Sequence, residues 1–156
     1  MDSTLDRTDL RILAELQREG RMTNAELAER VALSSSACLR RVQRLEASGV
    51  IRGYGARIDA KAVGLDLEAF VKVQLDKHGT PSIERFAEAV ESWDEVVACW
   101  ALTGDMDYLL HVHVSDLEHL SRFVLERLLN ASGVADVNSN FVLRTVKRSR
   151  GLPLPV

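Results

Sequence analysis

Two helix-start signals stand eleven residues apart in "TNAELAERVALSSSACLRRVQRL", at Thr23 and Ser34. Thr23 with Glu26 is a capping box: the hydroxyl accepts an amide of the first turn, and the carboxylate reaches back to the cap. Leu27, Ala28 and Val31 give the helix that follows an inner face. Ser34 can cap the next helix, whose Cys38, Val42 and Leu45 fall at i, i+4 and i+7. So little chain lies between the two that only a tight turn fits, which defines a helix-turn-helix. Upstream, Asp6 can cap a first helix striped by Leu10, Ile12, Leu13 and Leu16 and closed by Gly20. Downstream the third helix stops before Gly49. "VIRGYGARID" then reads as an extended strand, loosened by Gly53 and Gly55.

The outer face of the third helix carries the chemistry. Ser36, Arg40 and Arg44 share it at i, i+4 and i+8, with Arg41 beside them. The small hydroxyl residues Ser34, Ser35 and Ser36 let a phosphate approach the backbone, and a helix N-terminus favours an anion. Arginine suits bidentate contact with guanine or phosphate. The net charge of −3 argues the other way, but it is unevenly spread. Residues 34–52 hold four arginines against one acid, a local +3. A basic face on a near-neutral domain points to double-stranded DNA. A charge run is more often a solvated face, and the capped helix pair before this one tips the balance.

The remaining chain reads as a second domain. "EAFVKVQLD" (68–76) alternates as a strand. A helix starts at Thr80 as cap with Pro81 in its first turn, and sets Ile83, Phe86 and Val90 on one face. "EVVACWALTG" and "DYLLHVHV" are strands. "SDLE" at 115–118 reads as a second capping box, opening a helix with Leu117, Leu120, Val124 and Leu128. After a turn at Gly133 the chain ends in a strand. The order βαββαβ is the ferredoxin-like motif. The fold class is therefore α+β, a winged-type helix-turn-helix (three helices plus a strand) joined to a ferredoxin-like βαββαβ domain. The boundaries fall at 1–52 for the first domain, 53–66 for a strand and linker, 67–148 for the second domain, and 149–156 for a tail outside the fold. An open apolar sheet face needs a cover, so a dimer at least is expected.

Other classes find little support. No run of 18 apolar residues marks a membrane span, and the N-terminus lacks a signal peptide's pattern, so a cytoplasmic protein is expected. Cys38 and Cys99 sit in apolar patterns and read as buried thiols. His111 and His113 could join His119 or Cys99 around a metal, but no HxxxH or CxxC spacing supports it. No metal site, no cofactor and no catalytic motif is expected, and the chain does not read as an enzyme.

Helix-turn-helix followed by βαββαβ, with "LDRTDLRIL", "LSSSACLRRVQRLEASGVIRGY" and "LTGDMDYLL", resembles the leucine-responsive regulatory protein family (Lrp/AsnC, or feast/famine regulators) from about Leu5 to Lys147. The resemblance implies a bacterial or archaeal transcription regulator that dimerises through its second domain and assembles into octamers or similar discs. It also implies a small effector, most often an amino acid, bound between dimers. Carried onto this chain, DNA contacts fall on Ser34 to Arg44. The effector pocket falls around Ala101 to Tyr108, with Leu117 and Asn140 added by a neighbouring subunit. In that setting Asp107 can take an ammonium, and the backbone amides of Thr103, Gly104 and Asp105 can take a carboxylate. Ala101, Leu102 and Leu117, with Phe141 across an interface, would hold an aliphatic side chain such as that of leucine or methionine. "TGDMDY" also reads as nothing more than a hairpin turn, and both roles can coexist. Many members carry proline in the serine stretch, where this chain has Ser35-Ser36-Ala37. An alternative is an amino-acid-sensing module without DNA binding, which the Arg40–Arg41–Arg44 face argues against.

Overall fold

The computed structural model describes residues 5–76, 80–149 and 151–155. The chain divides into two compact units, one running to Arg57 and including Lys147 onward, the other Ile58–Val146.

The first unit holds α1 (Arg7–Arg18), α2 (Asn24–Arg30) and α3 (Ser35–Ala47). Asp6 caps α1 in a box with Asp9, Thr23 caps α2 in a box with Glu26, and Ser34 caps α3 by accepting the Ala37 amide. These caps satisfy amides that a helix start would leave orphaned. The turn between α2 and α3 rests on Ala32, which takes a left-handed φ of 56°. There the Leu33 amide donates to the Ala28 carbonyl at 2.9 Å. Ile12, Leu27, Ala28, Val31, Cys38 and Leu45 are buried and form the core. Burial pushes the Cys38 thiol pKa up, as an inert thiol requires.

Two expectations are corrected here. Among the described residues the segment after α3 pairs with no strand, because the three helices around it offer no strand edge. It is anchored by other means. The Ile51 amide donates to Leu45 O at 3.0 Å, and the Tyr54 hydroxyl donates to Glu46 at 2.9 Å. Burial and then Glu46 push that hydroxyl pKa up to about 12. The tail does not lie outside the fold either. Gln17 of α1 grips the Leu152 main chain from both sides: its Oε1 accepts the Leu152 amide at 2.6 Å and its Nε2 donates to the Leu152 carbonyl at 3.1 Å.

The second unit is a four-stranded antiparallel sheet with helices packed on one face. Its elements are β1 (Leu67–Leu75), α4 (Thr80–Glu91), β2 (Val96–Ala101), β3 (Tyr108–Val114), α5 (Leu117–Arg122), which runs on into a π-helical turn at Phe123–Leu128, and β4 (Val134–Phe141). The strand order is β2-β3-β1-β4. Ala69, Val71, Val73 and Leu75 of β1 and Leu110, Val112 and Val114 of β3 point to the helices and are buried. Phe86, Val90, Trp93, Phe123 and Leu128 meet them there. Each valine, leucine and phenylalanine among them stabilises the fold by roughly 1.5–3 kcal/mol if fully buried. The alternation leaves Glu68, Phe70, Lys72, Leu109, His111 and His113 on the open face.

Three details differ from the sequence reading. Asp116, not Ser115, caps α5 by accepting the His119 amide at 2.8 Å, while Ser115 donates to Asp116. Ile83 is exposed and Ser82 takes the inward place beside Phe86. Cys99 is only half-buried. The side chains of Thr80 and Pro81, read as a cap and a first-turn proline, lie outside the described residues. No described helix is long and apolar enough to cross a membrane.

Candidate DNA interface and effector hairpin

The three arginines of α3 look equivalent in sequence and are not equivalent in space. Arg41 Nη1 donates to Asp6 at 2.7 Å and to Asp9 at 2.8 Å, and Arg44 Nη2 donates to Asp9 as well. Asp9 is a wholly buried carboxylate on α1. Nothing in the local sequence pattern marked Asp9 as a partner for α3. Backbone hydrogen bonding from the Asp9 amide, then the Arg41 guanidinium, lowers the Asp6 pKa below its ordinary value. The same ion pairs raise Arg41, led by Asp6. Arg40 is exposed and makes no ion pair among the described residues. Ser34, Ser35 and Ser36 are exposed at the helix start. Asn24 of α2 donates to the Ser35 carbonyl at 2.8 Å and fixes that start. Leu33, Ala37, Arg40, Arg41 and Arg44 line a shallow concavity of about 390 Å³. Guanidinium donors beside an open helix N-terminus can bind phosphate or a base edge.

The β2–β3 hairpin is closed by the Leu102 amide on the Asp107 carbonyl at 2.7 Å. Ala101, Leu102, Thr103, Gly104 and Asp105 are all exposed. Gly104 has φ of 116°, and a Cβ there would meet nothing within 4 Å. Asp107 is engaged: its amide donates to Val73 O at 2.9 Å, and its Oδ2 accepts the Leu75 amide at 2.7 Å. It therefore pins the hairpin to β1, a role the sequence did not disclose.

One chain gathers Ala101 to Asp107 but not the other residues assigned to the pocket. Leu117 opens α5 beyond the far end of β3, roughly 20 Å from the hairpin at about 3.3 Å per residue. Asn140 and Phe141 lie on edge strand β4, opposite Phe70 and Ala69. As consecutive strand residues they point to opposite faces, so one β4 strand cannot offer both side chains to one pocket. A pocket using all these residues requires more than one copy of the chain.

Such a molecule combines a helix-turn-helix that presents arginine with a ferredoxin-like domain that presents an open hairpin. Residues 5–52 match the winged helix-turn-helix DNA-binding family, and residues 68–152 match the Lrp/AsnC ligand binding domain. A leucine-responsive regulatory protein of Rhizobium meliloti is 43% identical over 143 residues, 92% of each chain. That of Escherichia coli is 40% identical over 148 residues, covering 95% of this chain and 90% of its own. A transcriptional regulator from Neisseria meningitidis, solved as its L-methionine complex, superposes with a TM-score of 0.93 at 47% identity, covering 97% of this chain and 98% of its own. The leucine response regulatory protein of Mycobacterium tuberculosis gives 0.81 at 35% identity over 97% of this chain and all of its own. The chain belongs to the Lrp/AsnC family of DNA-binding transcription regulators.

Proposed function

We propose that this chain regulates transcription in the cytoplasm as a homo-oligomer, without catalytic activity, and that an aliphatic amino acid sets its assembly or its DNA affinity. The observation that carries the DNA half is Arg40, exposed beside the serines of α3 and without an ion pair among the described residues, while Arg41 and Arg44 brace the helix against Asp9. Arg40 with Ser34, Ser35 and Ser36 reads or clasps the duplex; Arg41 and Arg44 hold the helix and add positive charge. The test is a gel shift on the chain's own upstream region. Arg40→Ala should weaken specific binding by about 1–3 kcal/mol if it reads a base. A phosphate contact would weaken all sequences alike and flatten the salt dependence. Unchanged affinity on both specific and random DNA would remove α3 from the interface.

The effector half rests on the exposed Ala101–Asp105 hairpin, on exposed Leu102 and Leu117, and on the methionine bound by the Neisseria relative. Leucine or methionine is the expected ligand. Backbone amides of Thr103, Gly104 and Asp105 receive its carboxylate, and Asp107 supplies negative charge from within its hairpin bonds. Leu117, Asn140 or Phe141 can contribute from another copy. Each methylene buried is worth ~0.8 kcal/mol, so leucine should outbind alanine by up to ~2 kcal/mol. Asp107→Asn keeps an acceptor for the Leu75 amide and removes the charge. Calorimetric titration of leucine, methionine, alanine and lysine into both proteins decides the matter. Preference for lysine, or full leucine affinity in Asp107→Asn, would move the pocket elsewhere. Assembly is a dimer at least, with an octamer expected, and light scattering showing a stable monomer would refute it.

A further inference from the structure

The open face of the sheet holds a group that neither DNA reading nor effector binding uses. His111 and His113 stand two residues apart on β3, both on this face, and Glu68 of β1 lies directly across from His113. β1 and β3 are the two inner strands, so their side chains spring from the most constrained backbone of the sheet. Glu68 Oε1 is 2.8 Å from His111 Nε2 and 4.0 Å from His113 Nε2. One potential ligand atom from each residue falls within 4.8 Å of the other two. The ring of Phe70 stacks on His111 at 4.7 Å, with 8° between planes, and fixes the imidazole orientation. In the single chain the side chains are 31, 22 and 18% exposed for Glu68, His111 and His113.

As it stands the group is under-satisfied. Two imidazoles converge on a single carboxylate oxygen, and only His111 is within hydrogen-bond distance of it. His113 Nδ1 is buried with no hydrogen-bond partner among the described residues. The other partners suggested by the sequence are elsewhere. His119 is engaged by Glu95 and Ser115. Cys99 pairs with Leu110, on the helix-covered face.

We infer that Glu68, His111 and His113 form a binding site for one divalent transition-metal ion of the zinc class. Two imidazoles and one carboxylate are a donor set suited to such an ion, and a fourth position remains for water or for a donor from the copy that covers this face. With bonds of about 2.0–2.1 Å, tetrahedral ligands stand roughly 3.3 Å apart. The observed 2.8 and 4.0 Å bracket that spacing, and modest side-chain rotations of Glu68 and the two imidazoles would bring the three atoms to it. All three ligands come from one chain, so the site needs neither assembly nor effector. The bound ion would tie β1 to β3 on the face away from the helices.

The test uses the full chain, free of any affinity tag and stripped of metal. Zn²⁺ is titrated against a chromophoric chelator, and Co²⁺ is added separately to record visible ligand-field bands. One ion per chain is expected. Changing outer groups around metal ligands already costs about 10–100-fold, so losing a ligand in His111→Ala, His113→Ala or Glu68→Gln should cost at least about tenfold. His119→Ala should bind as wild type does. Glu68→Gln keeps an acceptor for His111 and perturbs the fold least, so it decides the case if the histidine variants fail to fold. The inference is overturned if wild type shows no saturable binding, or if binding survives in folded His111→Ala, His113→Ala or Glu68→Gln.

Discussion

Asp9 governs what the arginines of α3 are free to do. Its carboxylate is buried, and it meets the Asp6 amide, Arg41 and Arg44 together. A buried carboxylate without partners is costly, so the two guanidiniums are as much a requirement of Asp9 as an ornament of α3. The reverse dependence is weaker, because Arg44 is half exposed and water screens its charge. Asp9→Ala should therefore destabilise the first unit by ~1.5–3 kcal/mol, the worth of charged hydrogen bonds lost, and Arg44→Ala by clearly less. Thermal denaturation measures both, and a loss within experimental error for Asp9→Ala would show that the ion pairs are incidental. The pairing was illegible in the sequence for a physical reason. Arg41 and Arg44 lie 32 and 35 residues from Asp9, and periodicity speaks only for neighbours on one helix. Cap spacing singled out Asp6 alone, so nothing pointed to Asp9. The Glu68–His111 contact hid in the same way, since strand register decides it and the sequence does not state register.

Helix starts are where this chain spends its acids, and that gives the elements a shared pH response. Asp6 accepts the Asp9 amide at the start of α1, Glu26 the Thr23 amide at α2, and Asp116 the His119 amide at α5. These backbone hydrogen bonds are the leading reason that all three pKa values are lowered, from ordinary values of 3.8, 4.5 and 3.8. A carboxyl lowered on folding stabilises the fold above its unfolded pKa and loses that contribution as pH falls through the folded one. Helicity and melting temperature should thus hold near about pH 5 and decline as pH falls below about 4. Removing the Asp116 cap in Asp116→Ala should shrink the decline, and an identical acid profile in that variant would detach it from the caps. Caps were also the best-read part of the sequence. Asp6, Thr23 and Ser34 cap as their spacing implied, because a cap is decided within four residues. Where two polar residues competed, at Ser115 and Asp116, the carboxylate took the cap and drew the serine hydroxyl to itself. The alternation of β1 was equally readable, since burial on one sheet face imposes a period of two. The unpaired segment after α3 was not, because β-branched composition implies extension and says nothing about a partner.

At the scale of the whole molecule, the chain leaves the second unit after β4 and its last described residues belong with the first. The clasp is small and specific. Gln17 holds Leu152 by two hydrogen bonds, and Leu152 and Leu154 line a cavity of about 390 Å³ with Leu13, Leu16, Val50 and Tyr54. Gly151 makes the approach possible on two counts. Its φ is 96°, a conformation side chains resist, and a Cβ there would run into Gln17 Oε1. The carboxamide is the mobile end of a flexible side chain, so Gly151→Ala relieves the clash by pushing Gln17 aside, and the two hydrogen bonds go with it. Each such bond is worth ~0.5–1.5 kcal/mol net, less where water can replace it, so Gly151→Ala and Gln17→Ala should each cost on the order of 1 kcal/mol in the first unit. Because both changes undo one clasp, the double variant should cost little more than either alone. A thermodynamic cycle on melting data measures that shortfall, and interaction energies of 0.5 kcal/mol or more are expected for groups in contact. Amide exchange at Leu152 should quicken in all three variants. Additive losses, or a Leu152 amide that exchanges freely in the wild type, would mean that the tail rests on α1 without being held there.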